Sequence, residues 1–174
     1  MAERLSTYSP NQVSVVITHE ATGIAHIVTG FSEDSIVSIE RNAETFTLYR
    51  GADDTKTRIY NSDSSATIMI PLQQTSNSND ILTDLYEFDR ATLNSTGLFS
   101  IQIKDLTGRS TYFAAEAYIA IVPNSAFSNS MELREWSIHA SSLDTYIGGN
   151  SRFSQDDANA VGALGGSIAP QWTP

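Results

Sequence analysis

Ala66, Ile68, Ile70 and Leu72 alternate with Thr67, Met69, Pro71 and Gln73, and then a polar Gln-Thr-Ser-Asn run gives way to Ile81, Leu82, Leu85 and Phe88 at helical spacing. Successive side chains of a strand point to opposite faces, so the first pattern predicts a strand with one buried face and one face against something less apolar. Pro71 lacks a backbone donor and favours an edge, a bulge or a strand end. In the second pattern, Ser78 or Asn79 is positioned to cap a helix whose positive end suits Asp80 and Asp84, with Asp84, Glu87 and Arg90 outward.

Short runs rich in β-branched and aromatic residues account for most of the remaining chain. Val13 to His19 and Ala25 to Thr29 predict a hairpin across Thr22-Gly23. Ser35 to Arg41, Phe46 to Arg50 and Thr57 to Asn61 follow, the last two separated by the turn residues of GADDTK. Beyond the helix, Leu98 to Lys104 alternates, and Thr111 to Val122 is apolar almost throughout, as expected of a strand covered on both faces until Pro123 stops it. Met131 to Ala140 and Thr145-Tyr146-Ile147 complete the series. The expectation is a mainly β chain, a sandwich or barrel with one flanking α-helix. Residues 1–150 read as the globular domain. Residues 151–174, with little periodicity and no charge after Asp157, read as a flexible tail or as a C-terminal arm that orders against a neighbour through Ile168 and Trp172.

Composition then narrows the function classes. A chain of 174 residues suits one core. It has no apolar run of transmembrane length, and its opening MAERLSTYSPNQ lacks the order of a secretory signal, so synthesis in the cytoplasm is expected. With no cysteine, disulfides, thiolate metal sites and cysteine nucleophiles drop out together. Twenty acidic against ten basic residues, a formal net charge of −10, repel the phosphate backbone and argue against ordinary nucleic-acid binding.

Candidate chemistry is sparse. A two-residue hairpin at Thr22-Gly23 would set His19 opposite His26, but zinc needs further ligands and His139 is the only other histidine, so a surface pair is favoured. Glu116 stands alone in the most apolar strand, where burial would raise its pKa as in a general acid; pairing with an arginine, or exposure at a subunit contact or lumen, is the preferred explanation. Asp53-Asp54 lacks the ligand series of a calcium loop, Gly162 to Gly166 matches no nucleotide-binding glycine pattern, and no serine sits in a nucleophile elbow. Asn94-Ser95-Thr96 fits a glycosylation acceptor but reads as a helix-ending turn. No cofactor, metal or catalytic residue is expected.

Longer strings carry more information: IERNAETFTLYRGADDTKTRIYN (39–61), SATIMIPLQQTSNSNDIL, IKDLTGRSTYFAAEAYIA, REWSIHA and YIGGN. In order and spacing they resemble the tail tube proteins of contractile-tailed bacteriophages, over about Val13 to Asn150. The resemblance implies six copies closing into a ring, rings stacking into a hollow cylinder, and subunit sheets joining into an inner barrel. It further implies surrounding sheath, baseplate and tail terminator partners in the virion, with DNA passing through the lumen during genome ejection. Six copies at −10 each would bring a formal −60 to a ring, and acid on a lumen lets DNA slide without making ion pairs.

Strand position puts Glu33, Asp34, Glu40 and Glu116, with Thr67, Met69 and Gln73, forward as lumen or subunit-interface residues. The charged loops place Glu44, Asp53 and Asp54 as ring-stacking candidates. Two alternatives belong to other classes. A carbohydrate-binding decoration module on the virion would need an exposed aromatic patch from Tyr112, Tyr118 and Trp136, and a small hydrolase would need two facing carboxylates.

Overall fold

A computed structural model describes residues 5–173. Residues 1–4, which begin the stretch read for a secretory signal, and residue 174, the end of the expected tail, lie outside the described residues.

The alternating run of the sequence forms the centre of the molecule. Strand β6 (Ala66–Gln73) buries Ala66, Ile68, Ile70 and Leu72 completely while Thr67, Met69, Pro71 and Gln73 stay half-buried. Each of the larger three contributes roughly 1.5–3 kcal/mol by leaving water. Around it are β1 (Val13–His19), β2 (Ile24–Ile27), β3 (Ser38–Arg41), β7 (Phe99–Asp105), β8 (Thr111–Ile121), β9 (Leu133–Ala140) and β10 (Asp144–Tyr146). The strand order is β2-β1-β7-β8-β9-β6-β3, with β10 added beside β8, and every pairing is antiparallel. Such a path would be about 29 Å wide if flat. Val15, Ile101, Ile119, Ile138 and Ile68, from five of its strands, nevertheless share one core, so the sheet curls around them. Among the described residues the path ends at β2 and β3 without closing on itself.

Pro71 sits inside β6 and not at its end. Its carbonyl accepts from Ser32 N–H, so its missing donor faces the side where the neighbouring chain loops away between Ser32 and β3. The pair with Ser32 therefore keeps the one bond that a proline can make.

Helix α1 (Ser78–Thr92) closes the core with Leu82 and Leu85. Its start is organised differently from the expected Ser78 or Asn79 cap. Ser76 Oγ accepts from Ser78 N–H and donates to the Thr29 carbonyl at 2.6 Å, while Ser78, fully buried, accepts from Thr29 N–H. Asn79 donates to the carbonyls of Gln73 and Ser76 and accepts from Trp136 Nε1 at 2.9 Å. The polar corner therefore ties the helix to β2, β6 and β9 at once. Leu93, at φ 47°, ends the helix in the left-handed region.

Three expectations are corrected. The β1–β2 loop spans Glu20 to Gly23 with Gly23 at φ 69°, and the register pairs His19 with Ile24 and Ile17 with His26. The two histidines are thus diagonal, not opposite. Nor is His19 a surface residue: it is 1 % exposed, hydrogen-bonded to Thr22 Oγ1 and the Thr96 carbonyl, with Phe88 edge-on to its ring. Strand β8 is not covered on both faces, because Phe113, Tyr118 and Ile121 are exposed. Its pairing with β7 slips by one residue, so Ala115 and Glu116 both turn outward between buried Ala114 and Ala117.

The last segment is ordered in part. Helix α2 (Gln155–Ala163) starts at Ser154, whose side chain accepts from Asp157 N–H, with Asp156 and Asp157 in its first turn. The chain then returns so that Phe153 N–H donates to the Trp172 carbonyl.

Candidate assembly surfaces

The outward face of the sheet gathers several of the sequence candidates. Register places Glu40 of β3 beside Thr67 of β6, Thr67 beside His139 of β9, and His139 beside Tyr118 of β8. Met69 and Gln73 continue along β6 on this face, and Glu116 precedes Tyr118 on β8. Glu40 and Glu116 are exposed, as is Glu135 opposite Pro71, and Ile121 and Leu133 add exposed aliphatic side chains to the face. Thr67 donates to Asn42 Oδ1 and Gln73 to the Phe31 carbonyl. Glu33 and Asp34 fall outside this row, exposed in the loop before β3.

A second surface stands apart from the sheet. Among the described residues, strands β4 (Phe46–Arg50) and β5 (Lys56–Tyr60) pair only with each other, and all ten of their residues are exposed. A two-stranded ribbon is at best marginally stable in water, and this one exposes Phe46, Leu48, Tyr49, Ile59 and Tyr60. The two faces differ. Phe46, Leu48 and Arg50 share one with Tyr60, Arg58 and Lys56 directly opposite, whereas Thr47, Tyr49, Thr57 and Ile59 form an uncharged one. Arg58 lies 4.3 Å from the centre of the Phe46 ring.

The acids of the ribbon tip are engaged locally. Thr55 donates through its hydroxyl, and then its N–H, to Asp53 Oδ1, which holds that carboxyl below the usual carboxylate range. Asp54, at φ 67°, pairs with Arg50 Nε at 2.6 Å. Glu44 is exposed in the loop leading into β4.

The third surface is the turn after β7. Burial would raise the Asp105 carboxyl, but the hydroxyl and N–H of Thr107, together with Asn150 and Gly108 N–H, outweigh it and lower the pKa. Beside this turn, Arg109 donates to the Ser151 carbonyl and its guanidinium lies over both Phe153 and Trp172, at 4.1 and 4.7 Å. One arginine thus clasps the two ends of the terminal segment.

Among the described residues no three metal-ligating side chains cluster. His26 bonds Ser78 and His19 is enclosed, so neither extends toward the other. The aromatic patch of the carbohydrate alternative does not form. Trp136 is buried on the core side, Tyr112 packs against the core, and Tyr118 alone faces outward. Sequence reasoning missed the ribbon as a free-standing body; the signal available was five large apolar residues in two strands separated by a charged turn.

The chain matches the family described as bacteriophage PhiTE tail tube protein over residues 5–148. It is 52% identical over 172 residues to the structural protein ORF10 of Pseudomonas phage KPP10, covering 99% of each chain. Its fold resembles a chain of the sheath-tube complex of an extracellular contractile injection system, PVC, in the extended state, with TM-score 0.53, 15% identity, and 81% of this chain and 92% of that one covered. It also resembles the tube-terminating cap of the anti-feeding prophage, with TM-score 0.51, 13% identity, and coverage of 84% and 95%.

Proposed function

The chain belongs to the bacteriophage PhiTE tail tube protein family, and on that footing we propose that it builds the inner tube of a contractile tail from stacked six-membered rings. The family match over the sheet and α1 carries the reading. The tube is the conduit for DNA ejection, and the protein acts as an assembly, without enzymatic turnover. Its place is the virion tail, inside a sheath and between a baseplate and a terminator. Residues 1–150 serve as the tube domain and residues 151–174 as a terminal arm.

Two features of the subunit support this reading. Among the described residues, strands β2 and β3 end the sheet with unpaired edges, which a ring removes by joining the edge of one copy to that of the next. The outward face bearing Glu40, Thr67, Met69, Gln73 and Glu116 then lines the lumen or a subunit contact, with Glu33 and Asp34 at its rim. An acidic, weakly hydrogen-bonding lumen suits DNA that must move. The ribbon, with Glu44, Asp53 and Asp54 around it, reaches the adjacent ring.

Negative-stain electron microscopy of the purified protein tests the proposal. Rings or tubes with a central hole and six-fold symmetry are expected. Isolated monomers under all conditions, including in the presence of the tail partners, would overturn it.

A further inference from the structure

Leu48 and Arg58 are directly opposite each other on the ribbon, an apolar knob 70% exposed beside a cation. Among the described residues neither Arg58 nor Lys56 has an ion-pair partner, whereas Arg50 is already paired with Asp54. Elsewhere on the surface lies a feature of complementary shape and charge. A hollow of about 160 Å³ between α1 and the β1–β2 hairpin is lined by Ile24, Ile81, Leu85 and Phe88, with Asp84 among its lining residues. Asp80 stands one helical turn before Asp84, and both are exposed without an ion-pair partner among the described residues, unlike Glu87, which pairs with Arg90 at 3.0 Å.

We propose that the hollow beside α1 receives the β4–β5 ribbon of a second copy, with Leu48 inserted among Ile24, Ile81 and Phe88, Arg58 on Asp84, and Lys56 toward Asp80. The spacing agrees. Arg58 and Lys56, two residues apart on one strand face, are separated by about 6.7 Å, and Asp84 and Asp80 by about 6 Å along the helix. The chemistry on both sides calls for the same occupant. A ribbon face with Arg58 and Lys56 unpaired among the described residues, on a chain of net charge −10, fits an acidic protein surface, and another copy of this chain supplies one. Burying Leu48 removes apolar area that the isolated subunit leaves in water, and the charge pair fixes which way the ribbon lies.

The contact rests on the tube reading, because it requires copies to meet, but it can fail separately. Arg58→Glu sets a carboxylate against Asp84, and Asp84→Lys sets an ammonium against Arg58. Each single variant should keep the native melting temperature when dispersed and yield about tenfold less pelletable polymer. The double variant R58E/D84K restores the pair with its sign reversed and should return polymer to within about twofold of native. Mixing the two single variants should also restore it, since each hairpin then finds an opposite charge on the other variant's helix.

Single variants that polymerise like the native protein would overturn the contact. So would single variants that fail without rescue by the double variant or the mixture while native tubes form normally, since Asp84 would then not be the receiving group. Absence of any native polymer would instead strike the tube reading and carry the contact down with it. Leu48→Ser supplies an uncharged check, with loss of polymer expected at unchanged monomer stability.

Discussion

Strand β6 and the β4–β5 ribbon both alternate large apolar with polar residues, yet one is sealed and the other bare. In β6 every second residue is fully buried, and the helix that follows is fastened by Ser76, Ser78 and Asn79. In the ribbon no residue is buried, and its aromatic side chains meet only each other and Arg58. A monomer gains nothing from exposing Leu48, Tyr49 and Tyr60 on a free hairpin. The first region stabilises the subunit; in the proposed tube, the second is stabilised by what the subunit joins.

Substitutions should separate the two regions, and the largest effect belongs to the core. Ile68→Ala, at a site with 0 % exposure, should cost about 2–5 kcal/mol in denaturant unfolding. A loss below about 1 kcal/mol would mean that β6 is not the centre of the core. Next comes Asn79→Ala, which leaves Trp136 Nε1 without its acceptor and removes the side-chain donor shared by the carbonyls of Gln73 and Ser76, which keep their backbone donors, and should cost about 1–3 kcal/mol. Calorimetry would check this against Asn79→Asp, which keeps the acceptor for Trp136 and loses the donors.

A smaller effect is expected from acid at the turn after β7. The folded state lowers the Asp105 pKa, so its stabilisation is present above the ordinary carboxylate value and is lost as pH falls through the lowered one. Stability measured across the acid range should decline through this window, and Asp105→Asn should flatten that part of the curve. An unchanged profile in Asp105→Asn would show that the turn does not depend on the charge. Smallest of all, Tyr49→Ser on the uncharged ribbon face should change the stability of the dispersed subunit by no more than about 0.5 kcal/mol. A larger loss would mean that the ribbon helps hold the subunit together and would erase the contrast.

The same contrast explains what could be read from the sequence. β6 and α1 were legible because burial on one side leaves a period in the chain, two for Ala66 to Leu72 and helical for Ile81 to Phe88. β8 misled because an outward slip at Ala115 and Glu116 breaks the alternation, while Phe113, Tyr118 and Ile121 make the exposed face look like core. The β1–β2 turn was misplaced because Gly23 accommodates the left-handed conformation in a four-residue loop as readily as in a two-residue turn. Helix α2 did carry a signal: Ser154 three residues before Asp157, at the start of an alanine-containing run, is a capping pattern. The candidate surfaces were less visible. Glu40 and Thr67 come from distant segments that only register brings together, and the large apolar residues of 46–60 give the same local signal whether or not another part of the chain covers them.

Hydrogen exchange on dispersed and assembled protein tests the central claim most directly, residue range by residue range. The backbone amides of residues 46–60 should exchange quickly in the dispersed subunit and become strongly protected on assembly, while those of β6 and β9 are protected in both. Equal, fast exchange of residues 46–60 in dispersed and assembled protein would contradict the account.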